Sequence, residues 1–204
     1  MRVMLMAAAF AVGAGAATAQ PVEADWPCEQ RRILHLSIGQ MWAADLPDDL
    51  DAWRDDRELA DLAARIAARR TTDAEVNAMI AGVSAQDGVS REARLARLFT
   101  GVFALIDAER ARIVEGISRY ARRQAALADR IETAQDALAQ AEAAAAPDDF
   151  DALDRIDRMR DTLAWDVRIF DERDRSLGFV CESPVILERR AFAVARAIKA
   201  GIDG

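Results

Sequence analysis

The sequence predicts an all-α protein: a helical bundle base, a long antiparallel helical hairpin of coiled-coil type, and one disulfide. Three observations carry that expectation. The 204 residues include 45 Ala against 10 Gly and 5 Pro, a usage that favours helix over strand. Seam positions alternate in steps of four and three from Ile113 to Ala145, the mark of an a/d heptad seam. Helix-start chemistry recurs along the chain, at Thr72 with Glu75, at Ser90 and at Ser183-Pro184, where a side-chain oxygen or a pre-set φ suits the first turn.

Met1 to Ala19 reads as a secretory signal peptide. Arg2 forms the positive n-region, Val3 to Ala16 a short apolar stretch, and Ala17-Thr18-Ala19 a small-x-small cleavage site before Gln20. The stretch is Ala- and Gly-rich and falls short of the roughly 20 strongly apolar residues of a membrane span. The chain is therefore expected in the periplasm of a bacterium, with no span after cleavage. Cys28 and Cys181 are its two cysteines. An even count in an exported chain favours a disulfide, and closing so long a loop is worth roughly 5 kcal/mol in the chain-entropy picture.

Residues 20–204 are expected to form one helical domain, with N-terminal helices over 28–106, the hairpin over 107–182 and a C-terminal helix over 184–200. After an extended leader to Pro27, Glu29 to Ala44 reads as a helix with Leu34, Ile38, Met41 and Trp42 on one stripe. Pro47 and the acids Asp48, Asp49 and Asp51 are expected to start a second helix that runs to Arg70, with Leu59, Leu62 and Ile66 inward. The Thr72–Glu75 capping box starts a short helix to Val83, Asp87-Gly88 makes a turn, and Ser90 caps the long helix that follows.

In that helix the seam runs through Ile113, Ile117, Tyr120, Gln124, Leu127, Ile131, Ala134, Leu138, Ala141 and Ala145. Ala146-Pro147-Asp148-Asp149 stops it. The returning helix is assigned the face Phe150, Leu153, Ile156, Leu163, Val167, Phe170 and Leu177. So short a link makes the two helices antiparallel, with Ile131 level with Leu163, Leu127 with Val167, and Ile113 near Cys181. Leu163 and Phe170 are expected to be buried. Trp165, Ile169 and Phe179 lie opposite that face and are expected to be covered by the bundle, while the hairpin tip projects. Ser183-Pro184 then caps the C-terminal helix, with Ile186, Phe192, Ala195 and Ile198 facing inward.

Charge and motif content exclude several classes. With 35 acidic and 27 basic residues, net −8 and a pI near 4.8, the chain is a poor partner for nucleic acid or anionic lipid. His35 is the one histidine and reads as partly buried and structural. The acidic run Asp45 to Asp56 fails as a calcium loop, because the best frame puts Trp53 at a ligand position and Arg54 where glycine belongs. No nucleophile elbow, HExxH or phosphate loop is present, so no catalytic residue, metal or cofactor is expected.

What is left is surface charge on the hairpin. Arg119, Arg122 and Arg123 form a basic cluster, read either as a clamp for an anionic partner or as a solvated face laced with Glu115. Glu142, Asp148, Asp149, Asp151 and Asp154 concentrate negative charge at the tip, suited to steering a basic partner or simply to starting the returning helix. The expected function is a non-enzymatic, exported interaction protein: an adaptor, a chaperone-like holder or an accessory subunit of an envelope complex, with oligomerisation through the hairpin open. A projecting two-helix arm resembles in outline the prongs of some periplasmic chaperones, although those tend to be basic. The alternative is a binding module holding a small apolar ligand or cofactor in the bundle, in a pocket between Trp42, Phe103 and Trp165.

Overall fold

Residues 26–203 are described by a computed structural model; residues 1–19, expected to be a signal peptide, and most of the expected leader lie outside them. The elements are α1 (Ile38–Met41), a 3-10 turn (Ala52–Arg54), α2 (Arg57–Ala67), α3 (Asp73–Ala81), α4 (Arg91–Ala144) and α5 (Phe150–Asp203). No strand occurs among the described residues. The only extended pairing there is a bridge between Gln86 and Val89, closed by Asp87 and Gly88 at φ +52° and +78°. Positive φ at both central residues is what such a tight turn demands, and glycine accommodates it without strain.

Local chemistry places the starts. Asp56 accepts from the Leu59 N–H at 3.0 Å and opens α2. Thr72 and Glu75 exchange both bonds of the capping box at α3, Thr72 N–H to Glu75 Oε2 at 2.8 Å and Glu75 N–H to Thr72 Oγ1 at 3.3 Å. Ser90 accepts from the Ala93 N–H at 3.2 Å and opens α4.

The core sits at one end. Trp53, Leu59, Ile66, Val76 and Ile80 from the N-terminal elements pack against Leu95 to Ile106 of α4 and Leu187 to Ile198 of α5. Trp42 stacks on Phe99 with ring centroids 4.2 Å apart and planes 11° off parallel. Gly101 lets Trp53 approach α4, since a Cβ there would lie 2.8 Å from Trp53 Cδ2 and 3.1 Å from the Ala63 methyl. Gly178, by contrast, has open space around its Cβ direction. Two substitutions of one kind therefore have opposite outcomes. Gly101→Ala is expected to destabilise by about 1–2 kcal/mol, overpacking outweighing helix propensity, whereas Gly178→Ala stabilises by about 0.5–1 kcal/mol. Urea midpoints of the two variants measure this, and a stabilised Gly101→Ala protein would refute the packing.

Three segments depart from the sequence expectation. Glu29 to Ala44 is not a helix; only Ile38–Met41 is. Upstream of it the backbone is claimed by α4: Arg110 donates to the carbonyls of Ile33 at 2.5 Å and Leu34 at 3.4 Å, and Asp107 accepts from the Leu36 N–H at 2.7 Å. Leu34 is accordingly exposed rather than on an inner stripe. Asp48, Asp49 and Asp51 do not start a helix to Arg70. Asp49 accepts from the Asp51 N–H at 2.8 Å and Asp51 pairs with Arg54 at 2.8 Å, a local turn that leads into the 3-10 segment. Finally, Ser183-Pro184 does not begin a separate C-terminal helix, because α5 runs through with Pro184 buried inside it. Proline removes one helix bond there and crowds the preceding turn. In that turn Cys181 is disulfide-bonded to Cys28, with Cα atoms 5.6 Å apart, and its carbonyl accepts from Gln30 Nε2. The burial of Leu187, Ala191 and Val194 then holds the following turns in line.

The hairpin has the expected seam on α4. Every seam position from Gln124 to Ala145 is less exposed than most of its neighbours, and Ile117, Gln124 and Leu127 are buried. The register agrees: Tyr120 Oη donates to the Arg173 carbonyl at 2.9 Å and Gln124 Nε2 to the Phe170 carbonyl at 2.9 Å. On α5 the seam is shifted from the assigned face. It passes through Ala152, Ile156, Met159, Leu163, Asp166 and Phe170, while Phe150 and Leu153 lie outside it. Leu163 and Phe170 are half-buried, not buried. Asp166 is buried because Arg130 holds both its oxygens from α4, at 2.6 and 3.0 Å. Trp165 and Phe179 are exposed; the bundle does not reach them.

Candidate functional site

Among the described residues, the elements around the core leave most of the hairpin to itself. Trp26 caps the transition by packing on Val114 and Ile117, and the disulfide joins Cys28 to α5 nearby. Beyond that level α4 continues from Ser118 to Ala144, about 40 Å at the helical rise of 1.5 Å per residue, with α5 as the one helix beside it among the described residues. The arm ends at residues 145–149, where the acidic candidates gather.

The acids at that end are not equivalent. Glu142 is neutralised across the hairpin by Arg160, which donates to it at 2.7 and 3.0 Å and also pairs with Asp157 at 2.9 Å. Those bonds, the Glu142 one first, raise the Arg160 pKa still further. Asp149 is the cap of α5, accepting from the Ala152 N–H at 2.9 Å. Asp148, Asp151 and Asp154 stand exposed with no side-chain partner among the described residues. They surround a helix start, where carboxylates are favoured by the helix dipole. Among them lie Phe150, 78% exposed, and Leu153, 38% exposed. The tip is thus an acidic surface with an apolar centre. A strict four-three count back from Leu163 (Met159, Ile156, Ala152) leaves both residues off the seam, and that count was the signal available in the sequence.

The basic candidates are elsewhere. Arg119 pairs with Glu115 one turn back at 3.6 Å, as expected of a laced solvated face, and Arg122 is exposed. Arg123 lines a shallow groove with Leu127, Arg130, Ile169 and Arg173. About 28 Å of helix separates Arg123 from Glu142, so the basic and acidic sets form no common site.

His35 is exposed rather than partly buried, and its Nδ1 contacts Asp107 Oδ2 at 2.7 Å, the same carboxylate that binds the Leu36 N–H. These contacts tie the segment before α1 to α4. Trp42, Phe103 and Trp165 do not enclose a pocket: the first two pack with Phe99 in the core, while Trp165 lies far along the arm. Among the described residues no group of three or more His, Cys, Asp or Glu converges as metal ligands, and no helix is long and apolar enough to cross a membrane. Comparison with family models, with curated proteins and with solved structures gives no match.

Proposed function

We propose that the chain is an exported, non-enzymatic interaction protein of the bacterial cell envelope, whose arm tip docks a basic partner surface that also carries apolar side chains. One observation carries the reading. Two helices of 54 residues each extend far past the core that needs them, and their seam is satisfied internally, so length and tip chemistry are what remain to be explained. The signal-like residues 1–19 and the Cys28–Cys181 bond support export, since disulfides persist in oxidising compartments. The unpaired carboxylates of Asp148, Asp151 and Asp154 supply steering at low salt, and Phe150 and Leu153 supply apolar contact once docked.

A photo-crosslinking residue placed at Leu153 in living cells tests the idea, with one at Arg70 on the base as its control. The expected result is a protein processed before Gln20 whose Leu153 site captures a discrete envelope protein, with capture falling at least tenfold when Asp148, Asp151 and Asp154 are all changed to Asn. Capture from Arg70 alone, or an unprocessed cytoplasmic protein, refutes the proposal.

A further inference from the structure

Along the outer side of α5, facing away from α4, lies a second four-three stripe: Trp165, Arg168, Glu172, Arg175, Phe179, Glu182 and Ile186. Trp165, Phe179 and Ile186 are 61%, 78% and 42% exposed, although large apolar side chains at seam spacing ordinarily face another helix. Arg168 pairs with Glu172 at 3.0 Å within the helix. Arg175 and Glu182 have no partner among the described residues.

We infer that this stripe is a self-association surface, occupied by the same stripe of a second copy running antiparallel. The charge order selects that occupant. In a parallel pair Arg168, Glu172, Arg175 and Glu182 would each face their own like, which is unfavourable. Around a two-fold axis between Glu172 and Arg175, Glu172 of one copy faces Arg175 of the other twice over. Arg168 then lies against the second copy's Phe179, an arrangement for cation–π contact. Trp165 enters the hole formed by the second copy's Phe179, Glu182, Ser183 and Ile186. All three exposed apolar residues of the stripe cover one another, and a two-fold contact closes without leaving a free end.

The stripe is about 32 Å long, and one helix-wide footprint of that length falls below the roughly 800 Å² per partner of a standard interface. The dimer is therefore weak and concentration-dependent. Because α5 runs from tip to core, its antiparallel pairing points the two arm tips in opposite directions. The inference rests on the α5 surface alone and stands or falls independently of the tip's role.

Sedimentation equilibrium of the purified, oxidised protein between about 10 µM and 1 mM reads the result directly. The expected outcome is a rise from monomer toward twice the monomer mass. Phe179→Asp with Trp165→Glu is expected to abolish that rise while leaving the circular dichroism unchanged, both residues being exposed. Glu172→Arg alone sets arginine against arginine and is expected to weaken the dimer at least tenfold; Glu172→Arg with Arg175→Glu restores it. A monomer throughout, a dimer that survives loss of both aromatics, or a double charge swap that restores nothing would each overturn the inference.

Discussion

Replacing Phe99 by Ala is expected to lower stability by about 3–5 kcal/mol, the range for a buried aromatic truncation. Phe99 is 1% exposed, and its ring is shared by two neighbours: Trp42 stacks on one side at 4.2 Å, and Phe103 leans on it at 6.1 Å with planes 45° apart. The Trp42 indole donates to the Asp45 carbonyl at 3.3 Å, so it is tied to its own loop and cannot drop freely into the space vacated. The core around α4 is rigid helix and collapses little. Urea denaturation followed by tryptophan fluorescence measures the effect, and a loss below about 1 kcal/mol would show that Phe99 does not organise this layer.

Arg94→Ala is the second large effect, expected at about 3 kcal/mol, the low end for breaking a buried charge pair. The guanidinium side chain is 4% exposed. It donates to Asp56 and Glu58 at 3.0 Å each and to the Ser84 carbonyl at 2.9 Å, so one side chain fastens the start of α2 and the loop before α4 to α4 itself. The two acids keep some contact with water, which limits the penalty once Arg94 is gone. The pH dependence has a definite sign. Burial pushes the Asp56 carboxyl up, but the Leu59 N–H and the Arg94 guanidinium outweigh it and hold the pKa below its ordinary value. A carboxyl depressed in the folded state binds its proton more readily when unfolded. Its contribution is therefore complete above the ordinary Asp pKa of about 3.9 and is lost as pH falls through the lower folded value. Stability profiles should show this acid-side loss in the wild type and a shallower one in Arg94→Ala. Parallel profiles would mean that Arg94 does not set the Asp56 titration.

The long-range architecture was legible because the seam is written in large side chains. Ile117, Leu127 and Leu138 fix the phase of α4, and the short link fixes the pairing, so the Tyr120–Arg173 and Gln124–Phe170 contacts follow from counting. The phase of α5 was harder to read because its seam includes Ala152 and Asp166, which carry no hydrophobic signal; the adjacent Phe150 and Leu153 outweighed them. Burial of Asp166 depends on Arg130, a residue 36 positions away. The segment before Ile38 departs from its apolar pattern for a related reason. Its apolar spacing is helical, yet Asp107 and Arg110, more than seventy positions later, take the backbone groups a helix would need, and tertiary bonds override propensity. At Pro184 the local rule was sound but incomplete, since the disulfide and the core beyond it hold the helix through the proline. The tip acids were all visible in the sequence. That Glu142 and Asp149 are already engaged, and that Phe150 and Leu153 stand among the rest, required the register to be known.

The passage of α5 through Pro184 has a mechanical consequence. Tip and core are two ends of one rod, and α4 is a second rod that also crosses from core to tip. No joint interrupts the load path, so force applied at Asp151 reaches Leu187 and Ile198 along continuous backbone. The N-terminal segment, anchored at Cys28 and held by Asp107 and Arg110, braces the pair from one side where they leave the core, much as a stay braces a mast. Load placed on the tip is therefore carried into the core along both helices.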